Sequence, residues 1–132
     1  VMKSRDTLIR LKRFQAEEKR RRVLQIEAMI ADFDRMAGDL DREIVGEEKR
    51  AGISDPSHFA YPTYARAAKT RRDNLLQSAE DLKAQLADAR TAHALAMDEM
   101  KKAEALDGRE KGSERVIDLS GALGMSNSAM RL

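Results

Sequence analysis

Apolar residues recur every seven positions through the early part of the chain, at Ile9, Ala16, Val23, Ile30, Ala37 and Ile44, with Ile26, Phe33 and Leu40 interleaved. A 4-3-4-3 alternation of this kind keeps one stripe of an α-helix turned toward a partner helix, and is the seam of a coiled coil. A second seam runs through Ala68, Arg72, Leu75, Ala79, Leu82, Leu86, Ala89, His93, Ala96, Met100 and Ala103. Two helices of about 45 residues follow, each about 70 Å long at 1.5 Å per residue.

Composition narrows the alternatives. Aromatic residues make up 4% of the 132, with no Trp, so a thick globular core is excluded, while 42% hydrophobic content is too high for simple disorder. The net charge of +2 is close to balance and does not imply wholesale nucleic-acid binding. With no cysteine, a disulfide framework, a thiolate zinc site and a cysteine nucleophile are all excluded. No uncharged run reaches the roughly 18 residues of a membrane span. The first twenty residues hold many charges and no apolar stretch, so a secretory signal is not expected there.

Between the seams lies the one break containing both Gly and Pro, Ala51-Gly-Ile-Ser-Asp-Pro-Ser-His-Phe-Ala-Tyr-Pro-Thr-Tyr64. Lys49 and Arg50 suit a last helical turn, Gly52 suits a left-handed residue just past it, and Pro62 suits the first turn of the next helix. So short a connector predicts an all-α fold, a long antiparallel two-helix coiled-coil hairpin over residues 1–111. Its parts are a helix over about 5–50, a loop over about 51–61 and a helix over about 62–107, followed by a flexible or partly helical tail, 112–132. A turn about Pro56 makes facing residue numbers sum to 112, which pairs Ile44 with Ala68, Ile30 with Leu82, Ile26 with Leu86 and Val23 with Ala89. Charge agrees: residues 23–48 hold eight acids and two bases, whereas 61–72 hold four bases and no acid. Exposed pairs are worth only about 0.2–1 kcal/mol each, so they choose orientation more than they stabilise.

Toward the termini the seam weakens, because Lys19 faces His93 and Lys12 faces Met100. That half of the hairpin is expected to breathe or to await a partner. Residues 1–22 hold nine bases against three acids, densest at Lys19-Arg20-Arg21-Arg22, while the opposing residues 90–111 are balanced at five against five and are not expected to neutralise them. A positive surface for an acidic protein or nucleic acid is one reading, and a solvated helix face the other. Nucleic acid is disfavoured, since Phe14 is the only aromatic in that stretch. Leu8, Leu11 and Phe14, three residues apart and partly off the seam, are either an exposed apolar anchor or the floor for a folded-back tail. In the loop, His58, Phe59, Tyr61 and Tyr64 form either a cap over the coil or a recognition tip. The two histidines are far apart in the hairpin, so no metal site is expected and no cofactor is implied. Acidic pairs such as Asp32/Asp34 lack a cleft, nucleotide-binding glycine motifs are absent, and no enzyme activity is expected.

The opening Met2-Lys-Ser-Arg-Asp-Thr-Leu-Ile-Arg-Leu-Lys-Arg-Phe-Gln-Ala-Glu-Glu-Lys-Arg-Arg-Arg22 resembles the start of the flagellar export protein FliJ family. So does Ala51-Gly-Ile-Ser-Asp-Pro-Ser-His-Phe-Ala-Tyr-Pro-Thr-Tyr-Ala-Arg66, continuing into Arg71-Arg-Asp-Asn-Leu75, with the flavour of the alphaproteobacterial branch. The resemblance covers roughly residues 2–111. It implies an antiparallel coiled coil similar to the central stalk of rotary ATPases, seated in the flagellar export ATPase ring of the type III apparatus. Contacts with the cytosolic domain of the export gate and with export chaperones are implied too, as is a cytoplasmic location at the inner membrane below the flagellum. By the same analogy Arg5, Leu8, Leu11, Phe14, Arg20, Arg21 and Arg22 enter the ATPase ring, and His58, Phe59, Tyr61 and Tyr64 face the gate. The Gly/Ser/Met-rich stretch after Lys111 departs from the charged helical continuation of that family. A virulence-type secretion stalk is the sister reading, a basic nucleic-acid-binding hairpin comes from another class, and a self-associated four-helix bundle is a third. A monomer or weak homodimer is expected, because the seam is used internally.

Overall fold

The computed structural model describes the backbone of residues 2–130 and side chains within residues 4–112. The chain is all-α: helix α1, Met2–Ala51, and helix α2, Thr63–Met130, pack antiparallel as a helical hairpin. It divides into two compact units, residues 19–92 around the loop, and residues 1–18 with 93–132 at the termini.

In the loop unit the seam is the core. Val23, Ile26, Leu82 and Leu86 form one buried cluster, with Ile30, Phe33 and Ala89 packed against it. Leu40, Ile44 and Ala68 form a second, joined by Leu75. The expected layers Ile44–Ala68, Ile30–Leu82, Ile26–Leu86 and Val23–Ala89 each fall within one of these clusters. Ala37, Ala65, Ala68 and Ala79 are buried, and side chains that small let two helix backbones approach closely. Arg72 occupies a seam position by laying its stem inward and sending the guanidinium out. There it bonds Asp41 at 2.8 Å and Asp73 at 3.0 and 3.1 Å. Asp41 first, then Asp73, holds its pKa above the usual guanidinium value.

Helix α1 stops where the sequence predicts. Gly52 takes φ 71°, and the N–H groups of Gly52 and Ile53 both donate to the carbonyl of Glu48, at 2.8 and 3.2 Å. A side chain on Gly52 would be strained in that left-handed conformation. Pro62 sits just ahead of α2 rather than inside it, with its carbonyl accepting from the Arg66 N–H at 3.1 Å. Gly46 has no such role: it is helical, and a Cβ added there would meet nothing within 4 Å. Gly46→Ala is therefore expected to stabilise the fold by roughly 0.5–1 kcal/mol, by removing backbone freedom from the unfolded chain. Thermal unfolding followed by circular dichroism checks this, and an unchanged or lower midpoint contradicts it.

One expectation is overturned. Helix α2 does not end near residue 107, and residues 112–130 of the expected tail are helical in backbone. Glycine costs about 1 kcal/mol in a helix interior, which lowers stability but blocks no backbone bond. Only proline does both, and none lies between residues 63 and 130.

Candidate partner-binding ends

The loop is a hydrogen-bonded structure with one aromatic ring inside it and another outside. The Asp55 carboxylate accepts from the Ser57 N–H at 3.0 Å and the Ser57 hydroxyl at 2.8 Å. These bonds, the backbone one first, hold its pKa below the ordinary carboxylate value. The His58 N–H closes a turn around Pro56 onto the Asp55 carbonyl at 3.1 Å, and the Tyr61 N–H closes the next onto the His58 carbonyl at 3.0 Å. Ala60 N–H donates to His58 Nδ1 at 3.0 Å. Arg66 ties the crest back to α2 through the Pro56 carbonyl at 2.9 Å.

Tyr61 is the cap. It is buried, with the cations of Arg66 and Lys69 lying 5.5 and 5.3 Å from its ring centroid. Its hydroxyl is buried without a hydrogen-bond partner among the described residues. Phe59 is the opposite case, 94% exposed and stacked on the exposed His58 at 4.7 Å between centroids. Tyr64 is half in solvent and donates its hydroxyl to Glu43 of α1 at 2.6 Å. That bond, and then the carboxylate's charge, pushes its phenol pKa above the ordinary value. The expected aromatic group therefore separates: Tyr61 packs inward, Tyr64 clasps the two helices, and His58 with Phe59 stands outward.

The terminal unit is built differently. Its buried apolar residues among those described are Ile9 and Ala16 alone, and both core clusters belong to the loop unit. Several of its larger apolar side chains point out. Leu8, Leu11 and Phe14 are 45%, 48% and 58% exposed, rising because residues three apart drift about 60° around a helix and carry Phe14 farthest from the seam. Leu95 and Leu106 are each more than half exposed, and the sequence reading passed over them. With Ile9 at heptad position a, Leu8 and Leu106 fall at g and Leu11 and Leu95 at c, on one flank of the antiparallel pair. The signal was present as two leucines eleven residues apart, three helical turns on one face.

The expectation that residues 90–111 leave the basic start unneutralised is corrected. Arg5 pairs with Glu110, Lys12 with Glu99 at 2.9 Å and Arg13 with Glu104 at 2.9 Å. Balanced net charge hid this, because Lys102 and Lys111 pair with Asp98 and Asp107 on α2 itself, which leaves Glu99, Glu104 and Glu110 to the cations of α1. Arg20, Arg21 and Arg22 are exposed and lie on α1 within the loop unit, apart from Leu8, Leu11 and Phe14, and Arg20 and Arg21 also make polar interactions. No family model matches the chain, and no curated protein or solved structure matches it. Among the described residues no three side chains could hold a metal ion together, and no helix is long and apolar enough to cross a membrane.

Proposed function

We propose that this chain is a non-enzymatic, stalk-like component of the flagellar type III export apparatus. Its terminal unit would engage the export ATPase ring, and its loop the cytosolic domain of the export gate, with export chaperones as further partners. The observation carrying this reading is the outward apolar set Leu8, Leu11 and Phe14 on a basic helix start, in a hairpin whose opening and loop segments resemble the FliJ family. Apolar groups left in water at a helix end, while the same unit lacks apolar filling, are an interface awaiting a protein surface. Phe59 on its internally bonded loop is a second such anchor, preordered so that little freedom is lost on docking. The three cross-helix ion pairs lower the charge available for phosphate contacts, which weighs against nucleic acid.

Two variants test the reading. Deleting residues 2–15 is expected to abolish co-purification with the export ATPase while the loop unit still folds. Because that deletion also removes Ile9, the exposed triple change Leu8→Ala, Leu11→Ala, Phe14→Ala provides the sharper comparison. It is expected to weaken ATPase binding by at least about tenfold, with helicity and unfolding midpoint unchanged. Undiminished binding of both variants would remove ring engagement from the proposal.

A further inference from the structure

We propose that the terminal unit is an ionic latch, a pair of helical arms held shut by charge and able to separate while the loop unit stays closed. On α1 the heptad d positions that carry Ile26, Phe33 and Leu40 in the loop unit carry charge here. Arg5 and Lys12 lie at heptad d beside Ile9 and Ala16, and their side chains remain only about a quarter exposed. Opposite them, Asp107 sits at a seam position with its side chain 14% exposed, its carboxylate turned to Lys111 on its own helix at 3.0 Å.

Ion pairs cross between the arms. Arg5 reaches Glu110, Lys12 reaches Glu99 and Arg13 reaches Glu104, so ion pairs stand on both sides of Ile9, the larger of the unit's two buried apolar residues. None of the described α2 residues from 93 to 112 is buried. In the loop unit, by contrast, Arg72–Asp41 and Arg90–Glu27 sit outside two apolar clusters and are accessory to them. Each partly exposed ion pair shifts an open–closed equilibrium only about two- to fivefold, so the latch is shallow. Opening would place Ile9 and Ala16 in solvent beside Leu8, Leu11 and Phe14, enlarging the apolar surface on α1. The latch itself does not depend on which partner then binds.

The chain has no cysteine, so spin labels can be placed uniquely. Labels at Leu11→Cys with Ala105→Cys report on the arms, and labels at Ala31→Cys with Gln85→Cys report on the loop unit at the same offset. Raising salt from about 0.15 M to about 1 M shortens the screening length from about 8 Å to about 3 Å. The arm distance distribution is expected to broaden severalfold in its open component, and that of the loop unit to stay narrow. Lys12→Glu, which sets a carboxylate against Glu99, is expected to open the arms at low salt. Combining it with Glu99→Lys is expected to close them again. An arm distribution as narrow as the loop unit's and indifferent to salt, or a charge swap that fails to restore closure, overturns the latch.

Discussion

Ile26→Ala is expected to lower stability by about 2–5 kcal/mol, the range for truncating a buried branched side chain without collapse of the site. Ile26 is 1% exposed, between Val23, Leu82 and Leu86, and it is the one large side chain among the described residues that is fully withdrawn from solvent. Domains in general are stable by only about 5–15 kcal/mol, so a loss of this size brings the hairpin close to unfolding at room temperature. Urea unfolding followed by helical circular dichroism measures it. Leu24→Ala, two residues away on the exposed side of α1, serves as the control and is expected to stay within about 0.5 kcal/mol of the parent. Equal losses at the two sites would mean that the seam is not where the stability resides.

Tyr61 is expected to give opposite results with two replacements. Tyr61→Ala removes a ring that is 4% exposed, four residues ahead of Ala65, itself 0% exposed, at the closed end of the seam. Truncating a buried aromatic costs about 3–5 kcal/mol, and here it also removes the surface on which Arg66 and Lys69 lie. Tyr61→Phe keeps the ring and deletes a hydroxyl that is buried with no partner among the described residues. Burying such a group unpaired costs about 1–3 kcal/mol, so the phenylalanine variant should equal or exceed the parent in unfolding midpoint. Phe59→Ala should leave that midpoint unmoved, because the ring touches His58 and little else. A destabilised Tyr61→Phe would show that the hydroxyl is satisfied in solution.

How these residues were readable beforehand differs case by case. Ile26 was legible because the heptad period alone assigns it to the helix–helix face. The layer pairing followed from the loop position and the opposite charge of residues 23–48 and 61–72. The role of Tyr61 was only half legible. The steps 61, 65, 68, 72 and 75 continue the seam backward into the loop, but two turns lie just before Tyr61 and a proline just after it, and periodicity does not announce that it survives them. Phe59 and Tyr61 are two residues apart, yet one is in solvent and the other is buried. The turns closed by the His58 and Tyr61 N–H groups decide between them.

At the terminal end, spacing placed Leu8, Leu11 and Phe14 off the seam but left open whether a returning tail covers them. The three-dimensional arrangement leaves them exposed. It also joins Leu95 and Leu106 to their flank, and pairs Arg5, Lys12 and Arg13 with carboxylates of α2. Net charge summed over a segment loses the face on which each charge stands, and an ion pair depends on that face.

Helicity, antiparallel pairing and register could be read from the order of residues because a seven-residue period, a glycine-proline break and two blocks of opposite charge are one-dimensional patterns with one compact solution. The fate of single side chains in the loop, the partners of the terminal cations and the continuation of α2 through Gly108 and Gly112 were settled only by folding. Each depends on distances between residues far apart in sequence, or on the balance between a small backbone penalty and the helical bonds on either side of it, and no local pattern records either quantity.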